Sequence, residues 1–418
     1  LNVAMITYTL SKVDRNLKGE ITLSPSKTIN NRALVFRVLK HSGIDQKSLA
    51  EQEEARVLDA QLLKEGIKKN KGVSAKAIRH IRSFFNYFGG EWVLSCSDVI
   101  KGELIERIVK VLQKQGLQVS YEERRGVPPF KLIGRGLQGS IIRVDGQISS
   151  KHIQASLILS PKLPGSMILE LKDAIIKSSY IEMTLKALQY LGVNTDWDSN
   201  EILIEHEFKD GSEITLEADW CSATYWFQMV ALSKKADITI KGLSEESTQY
   251  DSEARRLFEA FGVKAETVAN GIRLMKQGRL AKNFDFDFAN NPDLVPSVAV
   301  TAAALKVPFR LRNVSAIRQK DSDRVESLSS ELKKIGATLR VEKEGDIENL
   351  CFDGKLLPVD SKATIGINTH NDHRIAMAFA PLMMLGYQVI IDNPRVTSKS
   401  YAAFWDDLKR LGVEIEQG

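Results

Sequence analysis

Two short acidic-basic clusters, Asp321-Ser322-Asp323-Arg324 and Asn371-Asp372-His373-Arg374, stand directly before apolar-periodic runs. After the first, Val325, Leu328, Leu332 and Ile335 recur at helical spacing; the second leads into the run from Ile375 to Met384. Asp, Ser and Asn are good N-caps, so each arginine is predicted in the first turn of a helix. There its guanidinium joins free backbone N–H groups and the positive end of the helix dipole. A third cluster, Ser24-Pro25-Ser26-Lys27-Thr28 with Arg32, repeats the pattern near the amino terminus. One capped helix with an early arginine is ordinary. Three together describe a pocket for a multiply charged anion, a phosphate or a carboxylate.

The elements that must carry these clusters recur along the chain as an amphipathic helix, a glycine stop and a short strand. The joint falls at Gly66, Gly116, Gly192, Gly262, Gly336 and Gly412, at intervals of about 50 to 75 residues. Glycine suits the left-handed residue that ends a helix, and segments such as Val413-Glu414-Ile415 suit a strand. Six occurrences are consistent with six copies of one α+β unit, although helix–Gly–strand joints occur in any α/β protein. A boundary is expected near Thr215 to Asp219, after three units. The phosphate-like helix starts of the second half would then face Lys27 and Arg32 across a cleft.

At 418 residues the chain exceeds one ordinary core, so two domains are expected. Its 58 Lys and Arg against 53 Asp and Glu give a net charge of only +5. A nucleic-acid binder would mass its basic residues on one stripe or arm; a mild positive field suits a small anionic substrate. The longest apolar stretch is too short for a membrane span, and the first residues lack the features of a signal peptide. Three scattered cysteines (Cys96, Cys221, Cys351) form no disulfide framework, and six histidines show no ligand spacing. The reading is a cytoplasmic protein without metal, cofactor, membrane or nucleic-acid partner.

In this order the clusters resemble the enolpyruvyl transferases, and among them the EPSP synthase family, over essentially the whole chain. Ser26-Lys27-Thr28-Ile29-Asn30-Asn31-Arg32-Ala33-Leu34 resembles the family's Gly-Ser-Lys-Ser/Thr-x-Ser-Asn-Arg-Ala-Leu. Lys320-Asp321-Ser322-Asp323-Arg324 is similar to its Lys-Glu-Ser/Thr-Asp-Arg, and Asp372-His373-Arg374-Ile375-Ala376-Met377 to its Asp-His-Arg-Met-Ala-Met. Pro292-Asp293-Leu294 and Ser398-Lys399-Ser400-Tyr401 match two further signatures. The resemblance implies a two-domain, inside-out α/β barrel of six β-α-β-α-β-β units. One domain would comprise residues 23–217; the other would combine 1–22 with 218–418, hinged near 20–24 and 215–219. It also implies a monomer that moves the enolpyruvyl group of phosphoenolpyruvate to the 5-hydroxyl of shikimate 3-phosphate, releasing phosphate, in the shikimate pathway to the aromatic amino acids.

That chemistry needs a base at the hydroxyl, an acid at the methylene carbon, and cations for two phosphates and two carboxylates. By resemblance Asp293 is the base, Asp321 the acid beside Lys320, and Lys27 contacts both substrates. Arg324, Arg374 and Lys399 form the phosphoenolpyruvate clamp, and Thr28 and Arg32 hold the shikimate carboxylate. Ser149, Ser150, Lys151, Lys177 and Tyr180 line the shikimate phosphate and ring. Each has a plainer reading when taken alone. Asp293 in Asn-Pro-Asp is a helix cap, Asp323 a cap or a partner of Arg324, His373 a structural histidine, and Lys399 a solvated lysine.

The first half departs from the family pattern. The Asn-Ala-Gly-Thr-Ala-Met-Arg loop reads Val73-Ser74-Ala75-Lys76-Ala77-Ile78-Arg79, and a clamp arginine is replaced by Glu103. Lys151 stands for the family's glutamine, Lys177 for a phosphate-binding serine, and Asp321 for a longer glutamate. A divergent relative with another acceptor, or a non-catalytic anion-binding one, is therefore the alternative. The sister transferase acting on UDP-N-acetylglucosamine fits poorly, because its cysteine position holds Asp98, two residues from Cys96. Two unit charges about 4 Å apart interact by roughly 4 kcal/mol near a protein surface, so Glu103 should weaken phosphoenolpyruvate binding. Changing Glu103 to Arg should lower the Michaelis constant for phosphoenolpyruvate, about tenfold for each ~1.4 kcal/mol recovered. An indifferent variant in steady-state kinetics would show that Glu103 points elsewhere.

Overall fold

The computed structural model describes residues 6–26, 90–94, 118–121, 130–134, 141–145, 153, 157, 160, 166–172, 179–205, 217–345, 347–358 and 364–418. The chain divides into two compact units, Lys27–Leu216 and a larger one combining Leu1–Ser26 with Glu217–Gly418. Residues up to Ser26 travel with the larger unit because Pro25 bridges Ala218. The Ser26 N–H also donates to the Glu217 carbonyl at 2.9 Å, and the Asp219 N–H to the Ser24 carbonyl at 3.1 Å.

In the unit Lys27–Leu216, Gly90–Leu94, Phe130–Gly134 and Gln118–Tyr121 form one antiparallel sheet in that order. A second sheet runs Ile141–Asp145, Met167–Lys172, Glu201–Ile204, Thr195–Asp198, with the first pair parallel and the others antiparallel. Met167, Leu169 and Leu171 alternate inward, as the two-residue strand period requires. They share a core with Ile181, Leu185 and Leu188 of helix α1 (Ser179–Tyr190), a stripe at helical spacing.

The larger unit contains three four-stranded sheets. Phe284–Asp287, Phe309–Arg312, Ile347–Phe352 and Arg340–Glu344 adjoin in that order, again parallel, antiparallel, antiparallel. Asn16–Thr22, Lys235–Lys241, Gly271–Lys276 and Val263–Val268 repeat it. So do Thr364–Ile367, Gln388–Asp392, Thr7–Ser11 and Glu414–Gln417, where the amino-terminal strand takes the place that the last strand of a unit fills elsewhere. The whole of Lys27–Leu216 is thus inserted between the first strand of one sheet and the helix that follows it.

Two sets of helices connect these strands. The crossovers α2 (Trp220–Leu232), α4 (Val295–Ala304) and α6 (His373–Phe379) pack on one another. The second set is α3 (Ala254–Leu257), α5 (Arg324–Lys333) and α7 (Phe404–Arg410). Every residue of α2 is buried, and so are Val295 to Ala303 of α4. A helix that is apolar all round must be surrounded on all sides, whereas α5 buries Val325, Leu328 and Leu332 and exposes Glu326 and Lys333. The sequence pattern predicts one helix from Ile375 to Met384. Instead α6 ends at Phe379, and Ala380–Leu385 tightens into a 3₁₀ turn in which Pro381 supplies no N–H. Among the described residues no helix is long and apolar enough to cross a membrane.

The joint glycines Gly192, Gly262, Gly336 and Gly412 have φ of 81°, 76°, 86° and 80°; Gly66 and Gly116 lie outside the described residues. At Gly336 a Cβ would also meet the Leu357 carbonyl oxygen at 2.2 Å, whereas at Gly386, with φ of 93°, it would meet nothing within 4 Å. Gly386→Ala should therefore cost about 1–2 kcal/mol, the price of a left-handed non-glycine residue. Gly336→Ala should cost measurably more, because a backbone oxygen cannot step aside cheaply. Denaturant midpoints of the two variants compare them directly; equal losses would show that the Leu357 segment yields freely.

Candidate active site

The helix starts of the larger unit converge. Asp293 lies in the 3₁₀ turn Pro292–Leu294 that leads into α4, Arg324 is the first residue of α5, and Arg374 is the second of α6. The Asp293 carboxylate receives Arg324 Nη1 at 3.0 Å on one oxygen and Arg374 Nη2 at 3.0 Å on the other, with Lys320 Nζ 3.7 Å away. It therefore caps no helix: its two oxygens answer two arginines. Burial opposes its ionisation, but the charges of Arg374, Lys320 and Arg324 prevail and hold the carboxyl well below the ordinary range.

Asp372, which the sequence pattern marks only as an N-cap, is the second anion of this network. Fully buried, it receives Arg324 Nε at 2.7 Å and Ser322 Oγ at 3.2 Å, and caps α6 through the Arg374 N–H at 2.8 Å. Burial raises its pKa, yet the charge and hydrogen bonds of Arg324 bring it below the usual value. His370 and Asn371 hold positive φ of 51° and 57° to turn the chain into this cap, a local strain that the capped helix start must offset. Asp323 also caps its helix, through Val325 and Glu326, and pairs with Arg318 at 2.8 Å rather than with Arg324. The acidic N-cap at each helix start was the signal in the sequence for both roles.

A more exposed cluster surrounds Asp321. One of its oxygens lies 3.1 Å from His373 Nδ1 and 3.3 Å from Lys399 Nζ, and Lys399 also donates to the Asn371 carbonyl at 2.9 Å. Burial, then the Arg374 charge, lowers the His373 pKa to about 4, so the ring is neutral near pH 7. Asp321, Asp372 and His373 bring three potential metal-ligand atoms within 4.8 Å of one another. Asp372 is already committed to a guanidinium and a helix cap, so this cluster does not read as a metal site. One further group lies against Arg374: Cys221, in the first turn of α2, whose sulfur accepts from Arg374 Nη1.

Asp293, Lys320, Arg324 and Arg374 are thus brought together, and beside them Asp321 pairs directly with both Lys399 and His373. Tyr180 lies in the first turn of α1. Lys27, Thr28, Arg32, Ser149, Ser150, Lys151 and Lys177, like Ala75, Lys76 and Glu103, lie outside the described residues. Chemically, the described groups offer an ionised carboxylate between two guanidinium groups, with a second carboxylate near an ammonium. That set can hold a carboxylate or phosphate and move protons beside it.

Comparison with known proteins places this geometry. The family model of EPSP synthase (3-phosphoshikimate 1-carboxyvinyltransferase) matches residues 36–408. A 3-phosphoshikimate 1-carboxyvinyltransferase of Bacteroides fragilis is 34% identical over 403 residues, covering 96% of this chain and 97% of that protein. One from Vibrio campbellii is 27% identical over 436 residues, covering 97% and 100%. In fold, the chain is similar to the EPSP synthase structure from Acinetobacter baumannii, with a TM-score of 0.74 over 99% of this chain and 100% of that one, at 19% identity.

Asp372→Asn keeps the cap but removes the charge that answers Arg324. Breaking a buried pair in this way should cost about 3–5 kcal/mol. A carboxyl whose folded pKa is depressed contributes stability that is present above its unfolded value and lost as pH falls through the folded one. The gap between wild type and variant in urea titrations should therefore hold from pH 5 to 8 and narrow below the ordinary value of 3.8. A gap that persists unchanged in acid would mean that charge is not the cause.

Proposed function

The chain belongs to the EPSP synthase, or 3-phosphoshikimate 1-carboxyvinyltransferase, family, and from that premise we propose how the described residues serve its reaction. The protein is an enolpyruvyl transferase that joins phosphoenolpyruvate to shikimate 3-phosphate in the shikimate pathway. The alternative, a relative with another acceptor or no activity, is not favoured by full-length relatives named for this transferase. The hydroxyl oxygen bonds to the enol carbon while its proton passes to a base and the methylene carbon takes a proton from an acid. Departure of phosphate with return of that methyl proton restores the double bond.

One observation carries the assignment of Asp293 as base: its carboxylate is the shared counter-ion of Arg324 and Arg374. Held by two guanidinium groups it is a weak base. When the phosphoenolpyruvate carboxylate engages the same arginines, Asp293 loses part of their stabilisation, and its proton affinity rises toward the value that catalysis needs. Substrate binding would thus prime the base. Arg324, Arg374 and Lys399 form the clamp, and Asp321, set against Lys399 and His373, is the acid. Lys27, Thr28, Arg32, Ser149, Ser150, Lys151, Lys177 and Tyr180 complete the contacts to shikimate 3-phosphate. The common strand order of four sheets supports an inside-out α/β barrel of six repeated units, acting as a monomer in the cytoplasm.

A coupled phosphate-release assay with phosphoenolpyruvate and shikimate 3-phosphate tests the reaction. In it, Asp293→Asn should abolish turnover while calorimetry finds both substrates bound within a few-fold of wild type, because an amide cannot accept the hydroxyl proton at neutral pH. A variant that retains most of its activity would require another base.

A further inference from the structure

One buried acid of α5 is left unused by the transfer reaction. Glu331 is 2% exposed and lies seven residues beyond Arg324, two helical turns along the same face. Its Oε2 accepts the Asn368 N–H at 3.0 Å and Lys334 Nζ at 2.6 Å, and its Oε1 stands 3.1 Å from His370 Nε2. Asn368 and His370 belong to the turn that joins the strand Thr364–Ile367 to α6. In that turn His370 and Asn371, with φ of 51° and 57°, are the one consecutive pair of non-glycine residues at positive φ among the described residues. Such a backbone persists only where its surroundings hold it.

The turn is gripped from two sides and delivers two contacts to the site. Opposite Glu331, the Thr369 N–H donates to Asp392 Oδ1 at 2.6 Å, and within the turn Asn368 Oδ1 accepts the His370 N–H at 2.8 Å. The Thr369 carbonyl accepts the Asp372 N–H at 2.8 Å, and Asp372 in turn receives Arg324 Nε at 2.7 Å. The Asn371 carbonyl accepts Lys399 Nζ at 2.9 Å, while its side-chain oxygen accepts Asn393 Nδ2 at 2.7 Å. Helix α5 therefore meets this segment at two points, Arg324 on Asp372 and Glu331 on Asn368 and His370. At a rise of about 1.5 Å per residue these points lie roughly 10 Å apart along the helix. One contact would act as a pivot; two fix the orientation.

We propose that Glu331 is a positioning residue for the phosphoenolpyruvate site. It seats the left-handed turn on α5, and the turn sets Asp372 against Arg324 and the Asn371 carbonyl against Lys399. The proposal rests on the reading of Arg324 and Lys399 as part of the phosphoenolpyruvate clamp. A tie that served stability alone could fall on any loop; this one falls on the two strained residues that lead into the site. Lys334 supplies the contrast. From the exposed side of α5 it binds the same carboxylate and the Gly366 carbonyl at 2.9 Å, and among the described residues it binds none of the turn from 368 to 371.

The test is steady-state kinetics of the full chain for both substrates, with calorimetric titration of phosphoenolpyruvate alongside. Glu331→Ala should raise the Michaelis constant for phosphoenolpyruvate about tenfold, the loss expected when a charged group forfeits a hydrogen bond. The constant for shikimate 3-phosphate and kcat should change far less, as for a lost binding contact. Glu331→Gln, which keeps a carbonyl oxygen for the Asn368 N–H, should recover most of the loss, and Lys334→Ala should leave phosphoenolpyruvate affinity unchanged. If Glu331→Ala does not fold, Asn368→Ala takes its place: that residue is exposed, and losing its bond to the His370 N–H should raise the same constant several-fold. Wild-type phosphoenolpyruvate affinity in the variant that folds would overturn the proposal. So would an equal loss in Lys334→Ala, which would trace the effect to a loosened α5. A wild-type protein that bound phosphoenolpyruvate without releasing phosphate would count against the transfer reaction instead, and the calorimetric arm would still decide the role of Glu331. A protein that did not bind phosphoenolpyruvate at all would overturn both.

Discussion

Two arginines answered by two carboxylates, with Arg324 and Asp372 buried and Arg374 and Asp293 largely so, are the constraint around which the larger unit is organised. Moving any one of these charges out of water costs several kcal/mol, and only close, hydrogen-bonded partners recover it. Arg324 is bound on one side by Asp372 at 2.7 Å and on the other by Asp293 at 3.0 Å. Arg374 takes the second oxygen of Asp293. An arginine at a helix start also stands against the positive end of the dipole. The arginines are therefore placed where a cation is least comfortable, and the aspartates make that place tolerable. A site with this surplus of positive potential is preorganised for an anion and needs little rearrangement to receive one.

The fold exists to hold those helix starts still. Helices α2, α4 and α6 are mostly apolar beyond their first turns, and the few buried side-chain hydrogen bonds they make add to that packing: Gln228 of α2 donates to the Ala378 carbonyl of α6 at 2.8 Å, and Trp226 Nε1 to the Tyr401 hydroxyl at 3.1 Å. Each fully buried leucine or phenylalanine contributes about 1.5–3 kcal/mol, and the charged groups are confined to the ends. Repetition does the rest. In each sheet of the larger unit the crossover helix joins a strand to its parallel neighbour, so the same end of each helix is delivered to the same place.

How much of this could be read from the chain depends on whether the signal was local. Arg324 and Arg374 were legible because an N-cap aspartate immediately precedes each apolar run, and that arrangement is set by neighbours in sequence. The joint glycines were legible for the same reason, since positive φ excludes most other residues. Asp372 was visible as a cap but not as the partner of Arg324, because that pairing joins residues 48 apart in sequence. Cys221 gave no signal, as its contact depends wholly on tertiary approach to Arg374. The break in the helix after Phe379 followed from Pro381, a local cue that apolar periodicity outweighed. The boundary expected near Thr215 to Asp219 follows from counting three complete helix–Gly–strand units, a count that rests on the same local joints.

The segment that leads into α2 is anchored by a separate buried acid. Glu217, at the crossing, is buried, and its carboxylate receives Trp220 Nε1 at 2.6 Å, the Ser244 N–H at 3.1 Å, Ser247 Oγ at 2.6 Å and Gln249 Nε2 at 2.9 Å. Gln249 in turn accepts the Trp220 N–H at 3.2 Å, a free donor at the start of α2. A buried carboxylate with four donors is fully satisfied, and such networks are rigid because any displacement leaves a charge unanswered. The segment at Glu217 and the first turn of α2 are therefore held together, and that turn carries Cys221 against Arg374. Satisfying one buried acid at the crossing thus helps to set where Cys221, four residues later in the same segment, stands against the Arg374 guanidinium.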